Sequence, residues 1–355
     1  MRSMHVIGSR EEGGVERIYR RLMRALVANG EEVLCVLRPS SALMNGLPEG
    51  VQVQAVRMRS IYDPFARARI TSLARAFDAQ IVQTYMGRAT RLTRIETKSS
   101  KAVHVARVGD FHDLKGYRHA SAWIASTDAI CQYLIAGGMP QDRVFRVRNP
   151  VDEPATVSAV EQQALRAELG LHASHLVLIC VGRLHRDRGV DVALDALARL
   201  PREHDGRELH LVVVGDGGQR ATLQQQAEQL GVGERVHWVI GAGNPHPYAT
   251  IADLLVYPSR QAAVGTAVLE AWSYGLTVVA TSTAGPSEVL RDGESGFLVA
   301  VDDADALAQG IHRALQSEPA VRQTMLAAAR LKLASEHSAD AVAVAHVQVY
   351  CSLLA

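Results

Sequence analysis

This chain of 355 residues is short of cysteine, net charge and long apolar runs, and each shortage excludes something. Its longest apolar stretch, "HLVLICVG" at 175–182, falls far below the roughly 20 residues that a membrane-spanning helix needs. The opening "MRSMHVIGSREEGG" turns polar after a few apolar residues, so no secretory leader is expected. The four cysteines, Cys35, Cys131, Cys180 and Cys351, form no CxxC pair and no cluster with histidine. Cys35 and Cys180 sit in apolar strand-like runs, as reduced core thiols do, which points to a cytosolic protein without a structural metal. No GxGxxG follows the first apolar strand and no acidic residue closes the second, which argues against a dinucleotide dehydrogenase. In "GDFHDLKGY" (109–117), Asp110 and Asp113 stand one position too far apart for a DxD metal pair.

What is present describes a globular α/β protein. Hydrophobic residues make up 48% and charged residues 21%, enough to bury cores without a membrane, and the length suits two domains. The net charge of +1 conceals an asymmetry: residues 1–150 hold 23 Lys and Arg against 13 Asp and Glu, and the remainder hold 15 against 24. Solubility and chance explain such a split blandly. The sharper expectation is that the first half faces something anionic, such as phospholipid headgroups, a phosphorylated glycan or nucleic acid.

Short β-rich runs alternate with helical patterns along the whole chain. In the first half the expected strands are 4–8, 32–37, 51–56, 81–85, 102–108, 122–126 and 143–147, and the expected helices are Val15–Asn29, Pro64–Phe77, Arg88–Lys98 and Asp128–Gly137. The first helix has Ile18, Leu22, Ala25 and Leu26 at helical spacing, with Gly30 as its stop. Its polar face carries Arg17, Arg20, Arg21 and Arg24. "RNPVDEPA" (148–155), with two prolines, breaks the rhythm and reads as a linker. A second alternation then runs from 176 to 300, and three helical segments close the chain at 304–316, 319–333 and 339–353. Strands that are apolar on both faces and alternate with helices imply parallel, doubly wound sheets. We therefore expect two Rossmann-like domains, 1–150 and 151–335, with 336–355 as a helix packing back on the first. In such folds ligands bind beyond the carboxyl ends of the strands, and the cleft between the domains is the default active site.

Two loops carry the first chemical signals. In "SREEGGVERIYRRL" (9–22), Gly13 and Gly14 lead directly into a helix, whose free N–H groups suit an anion; a tight turn reads equally well. In "VGRLHRDRG" (181–189) a strand runs into Gly182, with Arg183 and Arg188 before the next helix. Two permanently charged, forked guanidiniums at a strand's carboxyl end suit a diphosphate better than they suit a solvated loop.

"VGRLHRDRG", "VVVGDGGQRATL" (212–223), "RVHWVIG" (235–241) and "LLVYPSRQAAVGTAVLEAWSYGLTVVATSTAGPSEVLRDGESGFLV" (254–299) stand in an order that resembles the donor-binding domain of GT-B glycosyltransferases, most closely retaining family 4. The likeness is strong over 175–300 and looser before it, through "GGVER" and "RNPVD". The resemblance implies a retaining transfer of a sugar from a nucleotide-diphosphate donor to the hydroxyl of a glycan or glycolipid, of lipopolysaccharide-core type, with no cofactor, no metal and no nucleic acid. It implies that Arg183 and Arg188 neutralise the leaving diphosphate, aided by the Gly13–Gly14 loop. Glu270 holds the ribose, and the backbone near Val239–Gly241, Ile240 included, meets the base. Gly182, Gly265, Thr266 and Glu288 are further donor-side positions, and Asn149 and Asp152 a structural hinge.

His112 is the expected first-domain histidine at the donor sugar, with His104 as the alternative. Arg17 and Arg21 are expected to meet the acceptor, on an anionic inner membrane face reached from the cytoplasm. The sequence departs from the family at Ala262, where the first glutamate of an E-x7-E pattern ending at Glu270 belongs. Ala262 is a replacement of a native glutamate, or another group serves, or the protein binds without catalysing. Arg188 stands where the family usually has lysine. A sugar-nucleotide epimerase shares the fold, but the order "GRL…E…GPSE" argues against it.

Overall fold

The computed structural model describes residues 1–11, 13–95 and 101–355. Its contacts divide the chain into one unit of Met1–Asp152 with Ala334–Ala355 and a second of Glu153–Leu333. In the first unit, β1 (Arg2–Ile7), β2 (Glu32–Leu37), β3 (Gln52–Ala55), β4 (Ile81–Tyr85), β5 (Val103–Val108), β6 (Ala122–Ala125) and β7 (Val144–Arg146) form one parallel sheet in the order β3-β2-β1-β4-β5-β6-β7. Helices α1 (Gly14–Ala28), α2 (Pro64–Ala76), α3 (Met86–Leu92) and α4 (Asp128–Ala136) connect these strands. The helix expected over Arg88–Lys98 begins earlier and stops at Leu92, because Thr93 turns extended; its expected end at Lys98 lies outside the described residues.

In the second unit, α5 (Ala159–Glu168) precedes β8 (Leu176–Val181), α6 (Val190–Arg199), β9 (Glu203–His204), β10 (Arg207–Val214), α7 (Arg220–Gln229), β11 (Val236–Val239), α8 (His246–Ala249) and β12 (Leu254–Tyr257). There follow α9 (Thr266–Ser273), β13 (Thr277–Thr281), α10 (Ala284–Val289), β14 (Phe297–Val299), α11 (Ala304–Gln316) and α12 (Pro319–Lys332). The parallel order is β11-β10-β8-β12-β13-β14, with β9 antiparallel on β10. Periodicity missed α5, which buries none of its side chains, although Ser158 and Glu161 supply a full capping box. It also missed α10, formed by the "AGPSEV" segment.

Each sheet is filled on both faces. In the first unit Met4, Val6, Leu34 and Val82 pack toward α2 and α3, while Ile7, Cys35, Ile81, Tyr85 and Val105 pack toward α1 and α13 (Ala339–Leu354). Thus α13, the last helix of the chain, lies on α1. In the second unit Leu178, Cys180, Leu211, Val213 and Val256 pack against α6 and α11.

A buried polar spine runs through the first unit. Arg107 of β5 donates to His346 Nε2 of α13 at 3.0 Å and to Asn149 Oδ1 at 2.6 Å. Tyr350 donates to Gln83 Oε1 at 2.6 Å, and Tyr85 lies 2.9 Å from His5 Nδ1. Among the described residues Arg107 has no carboxylate partner, and burial lowers its pKa.

Candidate active site

In the second unit the chemistry-bearing residues gather at the carboxyl edge of the sheet. Strand β8 ends at Gly182, whose N–H donates to the Val214 carbonyl at 3.0 Å; Gly215 donates to Val239 in the same way. Gly215, at φ +158°, admits no side chain, because a Cβ there would stand 1.8 Å from the Gly182 carbonyl oxygen. Arg183 is exposed and has no side-chain partner among the described residues. Arg188 lays its methylenes over Gly182 and donates to the Tyr257 hydroxyl at 3.3 Å. Gly189 then turns left-handed at φ +66° and opens α6, close against the Pro258 carbonyl. Neither arginine has a carboxylate partner among the described residues, so both charges are available to an anion.

The loop after β12 is fastened to the arginine loop. Asp187's carbonyl accepts from the Arg260 N–H at 2.8 Å and from the Ser259 hydroxyl at 2.9 Å. The Arg260 side chain forks onto Asp191 at 2.7 and 2.8 Å, and also meets Asp302 at 2.7 Å and the Arg186 carbonyl at 2.8 Å. These partners raise its pKa, Asp191 most. Sequence reading missed this clamp, because its members lie 42 to 74 positions apart in the chain.

The clamp sets the place of Ala262. Its methyl is buried, and its carbonyl accepts from the Gly285 N–H at 2.7 Å. Gly285 and Gly265 abut so closely that a Cβ on Gly285 would stand 2.5 Å from the Gly265 nitrogen. The starts of α9 and α10 therefore lie side by side, and neither has a side-chain cap. Thr266 opens α9. Glu270, one turn on, is buried and lines a small crevice with Tyr274, Pro245 and Val181. Glu288 is half-buried in α10, whose last carbonyls accept from Lys332 Nζ at 3.2 and 3.1 Å. Ile240 is half-buried at the end of β11 and packs on the core.

The first unit also presents a carboxyl edge. Gly13 caps α1 in an extended conformation, with Gly14 exposed beside it. His112 follows β5, is exposed, and lies parallel to Tyr117 with ring centres 6.1 Å apart. His104 is a correction: it lies near the start of β5, away from that edge. It is buried, bonds Thr84 at 3.0 Å, and is held neutral by burial, its pKa lowered to about 3.

Arg21 is a second correction, because it is spent on Asp152 at 2.8 Å and on the Pro150 carbonyl at 3.5 Å. Arg17 is half-buried with no partner among the described residues. Asn149 and Asp152 are anchor points of the first unit, on Arg107 and Arg21 respectively. The same edge brings together Arg10, Arg38 and Arg88, a grouping that sequence reading missed. Burial, then Arg10 and Arg88, lower the pKa of Arg38, and none of the three has a carboxylate partner among the described residues.

The two parallel Rossmann-like sheets, with arginines and glycines at the carboxyl edge of the second, define the GT-B glycosyltransferase fold. The chain superposes on the crystal structure of HepE from Anabaena in complex with UDP and glucose with a TM-score of 0.85, covering 99% of this chain and 100% of that one at 20% identity. Residues 161–332 match the family model of the glycosyl transferases group 1. Two relatives align along nearly the whole chain, both lipopolysaccharide core biosynthesis glycosyltransferases of Rhizobium meliloti (strain 1021). LpsE is 26% identical over 345 residues, 96% of this chain and 97% of that one, and LpsD is 26% identical over 354 residues, 99% and 98%. The chain is thus similar to lipopolysaccharide core glycosyltransferases along its length, and its second unit carries the match to the group 1 glycosyl transferases.

Proposed function

We propose that the second unit holds a nucleoside-diphosphate sugar and that the sugar passes, with retention, to a hydroxyl of an anionic glycan or glycolipid held by the first. The observation that carries this reading is the presence of Arg183 and Arg188 after β8, neither with a carboxylate partner among the described residues and Arg188 backed by Tyr257. When the bond from the anomeric carbon to the phosphate oxygen breaks, its electron pair goes to the diphosphate. Two permanently charged guanidiniums stabilise that growing charge without a divalent ion. Glu270, buried one turn into α9, accepts from the ribose hydroxyls. The uncapped N–H groups at Gly265 and Thr266 face the same donor.

For the acceptor, the Arg10–Arg38–Arg88 group supports a phosphorylated or otherwise anionic molecule, with Arg17, the Gly13–Gly14 turn and His112 on the same edge. The two Rhizobium meliloti relatives favour a lipopolysaccharide core intermediate. No helix among the described residues is long and apolar enough to cross a membrane. Tyr62 and Phe65, 78% and 85% exposed at the start of α2 among Arg57, Arg59 and Arg69, suit docking on an anionic inner leaflet from the cytoplasm.

A thermal-shift panel of UDP-, GDP- and ADP-sugars tests the donor, because a ligand that binds only the folded chain raises its melting temperature. Stabilisation by one of them, lost in Arg188→Ala, is the expected result; no shift with any would sink the reading. Ala262 favours a second reading, a nucleotide-sugar-binding protein without turnover. Ala262→Glu separates the two: the transferase gains turnover, and the binding protein gains none.

A further inference from the structure

At the other edge of the second unit's sheet, histidines converge with a glutamate. His175 directly precedes β8, Glu208 and His210 lie in the first half of β10, and His237 lies in β11. Register brings them together. Leu209 pairs with Leu176 and His210 with Val177, so Glu208 falls beside His175. Alternate residues share a face, and Leu176, Leu209 and Leu211 take the face of the aliphatic core. His175, Glu208 and His210 therefore share the opposite face, with one ligand atom from each within 4.8 Å of the others.

The hydrogen bonds leave one of these ring nitrogens without a partner. His237 presents its Nε2 to His210 from the neighbouring strand. That Nε2 lies 2.9 Å from His210 Nδ1, so the two nitrogens share one hydrogen and Nδ1 is engaged. His210 Nε2 is buried and has no hydrogen-bond partner among the described residues. It stands 3.8 Å from Glu208 Oε2, on a side chain only 7% exposed, while Arg202 holds Glu208 Oε1 at 2.7 Å. The buried nitrogen and the carboxylate oxygen thus face each other too far apart for a hydrogen bond.

We propose that His175, Glu208 and His210 bind a borderline divalent transition metal such as Zn2+, with His237 and Arg202 orienting the ligands from outside. The donor set selects the class of metal. Mg2+ and Ca2+ need several oxygen ligands, and here one carboxylate stands near two guanidiniums, Arg202 and Arg235. Imidazole nitrogen suits Zn2+, Ni2+ and Cu2+. The His175 and His210 rings are stacked, 4.1 Å apart and 14° from parallel, so one ring turns on loading. His175 then gives up the 3.3 Å bond that its Nδ1 accepts from the His172 N–H. The metal joins the starts of β8 and β10, at the edge opposite the arginine loops, and acts on the stability of the unit rather than on sugar transfer.

Equilibrium dialysis of the full chain against Zn2+, and melting with Zn2+ or with EDTA, test the site. The expected result is about one ion per chain, a higher melting temperature with Zn2+ and none of that shift with Mg2+. His175→Ala and Glu208→Gln, at half-exposed positions, each weaken binding roughly tenfold or more, whereas His312→Ala, elsewhere in the unit, leaves it unchanged. The metal-free melting curve of each variant shows that it folds. No uptake by the wild type, an equal shift with Mg2+, or wild-type affinity in His175→Ala and Glu208→Gln would overturn the proposal.

Discussion

The two sheets are wound alike but filled differently. In the first unit the central strands β1, β4 and β5 bury Ser3, His5, Gln83, Thr84, His104 and Arg107. In the second, β8, β10, β12 and β13 bury Val177 to Cys180, Leu211 to Val214, Leu254 to Val256 and Val278 to Ala280. Charge differs as well: the first unit has 23 Lys and Arg against 16 Asp and Glu, the second 15 against 21. An aliphatic sheet gains stability from burial that is indifferent to direction. A buried polar spine gains little net stability but penalises every wrong pairing, because each unmatched group is costly. In the first unit the spine fixes where α13 docks, through Arg107–His346 and Tyr350–Gln83, contacts 239 and 267 positions apart. The second unit uses aliphatic packing as a firm base for loops that carry charge.

The largest effect that can break this comparison is acid. His5 and His104 are fully buried with pKa values lowered to about 3 from 6.5. The unfolded chain binds these protons more readily than the folded one, so stability is intact above pH 6.5 and falls as pH drops toward 3. Each histidine contributes up to about 1.4 kcal/mol per pH unit in that window. Urea melts followed by hydrogen exchange at pH 7, 5.5 and 4.5 should show the first unit failing before the second, and His104→Asn should flatten the slope. Equal acid sensitivity of both units would remove the contrast.

Next in size, Arg188→Ala should lower kcat/KM about 10²–10³-fold with little change in melting temperature, as removal of a charge-stabilising donor does. A loss under tenfold in a steady-state assay would show that the second unit's loop charges are not what the reaction uses. Arg260→Ala should cost about 1–3 kcal/mol and raise the KM for donor more than it lowers kcat, because it releases the Asp191 and Asp302 clamp rather than a reacting group. Calorimetry and donor titration read the two parts separately. The smallest effect is expected from Phe65→Ser, which should leave stability within about 0.5 kcal/mol while weakening sedimentation with anionic vesicles. Unchanged binding, or equal binding to neutral vesicles, would detach the first unit's charge from a membrane role.

Much of this was legible in one dimension. Parallel buried strands announce themselves as continuous apolar runs, and β2, β4, β12 and β13 fall where those runs lie. Gly182, Arg183 and Arg188 sit within one loop, so their common position at a strand end is a local property. What stayed hidden is non-local. His104 and His112 look alike in sequence, and only the sheet shows one inside a strand and the other on an edge loop. Arg17 and Arg21 share a helix face, but Asp152, 131 positions away, takes Arg21 alone. The absence of CxxC and Cys/His clusters suggested no structural metal. The gathering of His175 with Glu208 and His210 depends on a strand register that no spacing rule encodes.

The sequence by itself determined the alternation of strand and helix and the arginines that follow β8, because periodicity, turn chemistry and charge are written in neighbouring residues. Tertiary structure alone decided which charges are free and which are consumed. Pairing in a doubly wound sheet joins strands far apart in the chain, and a side chain's partner, and with it its protonation and its chemistry, follows from that pairing.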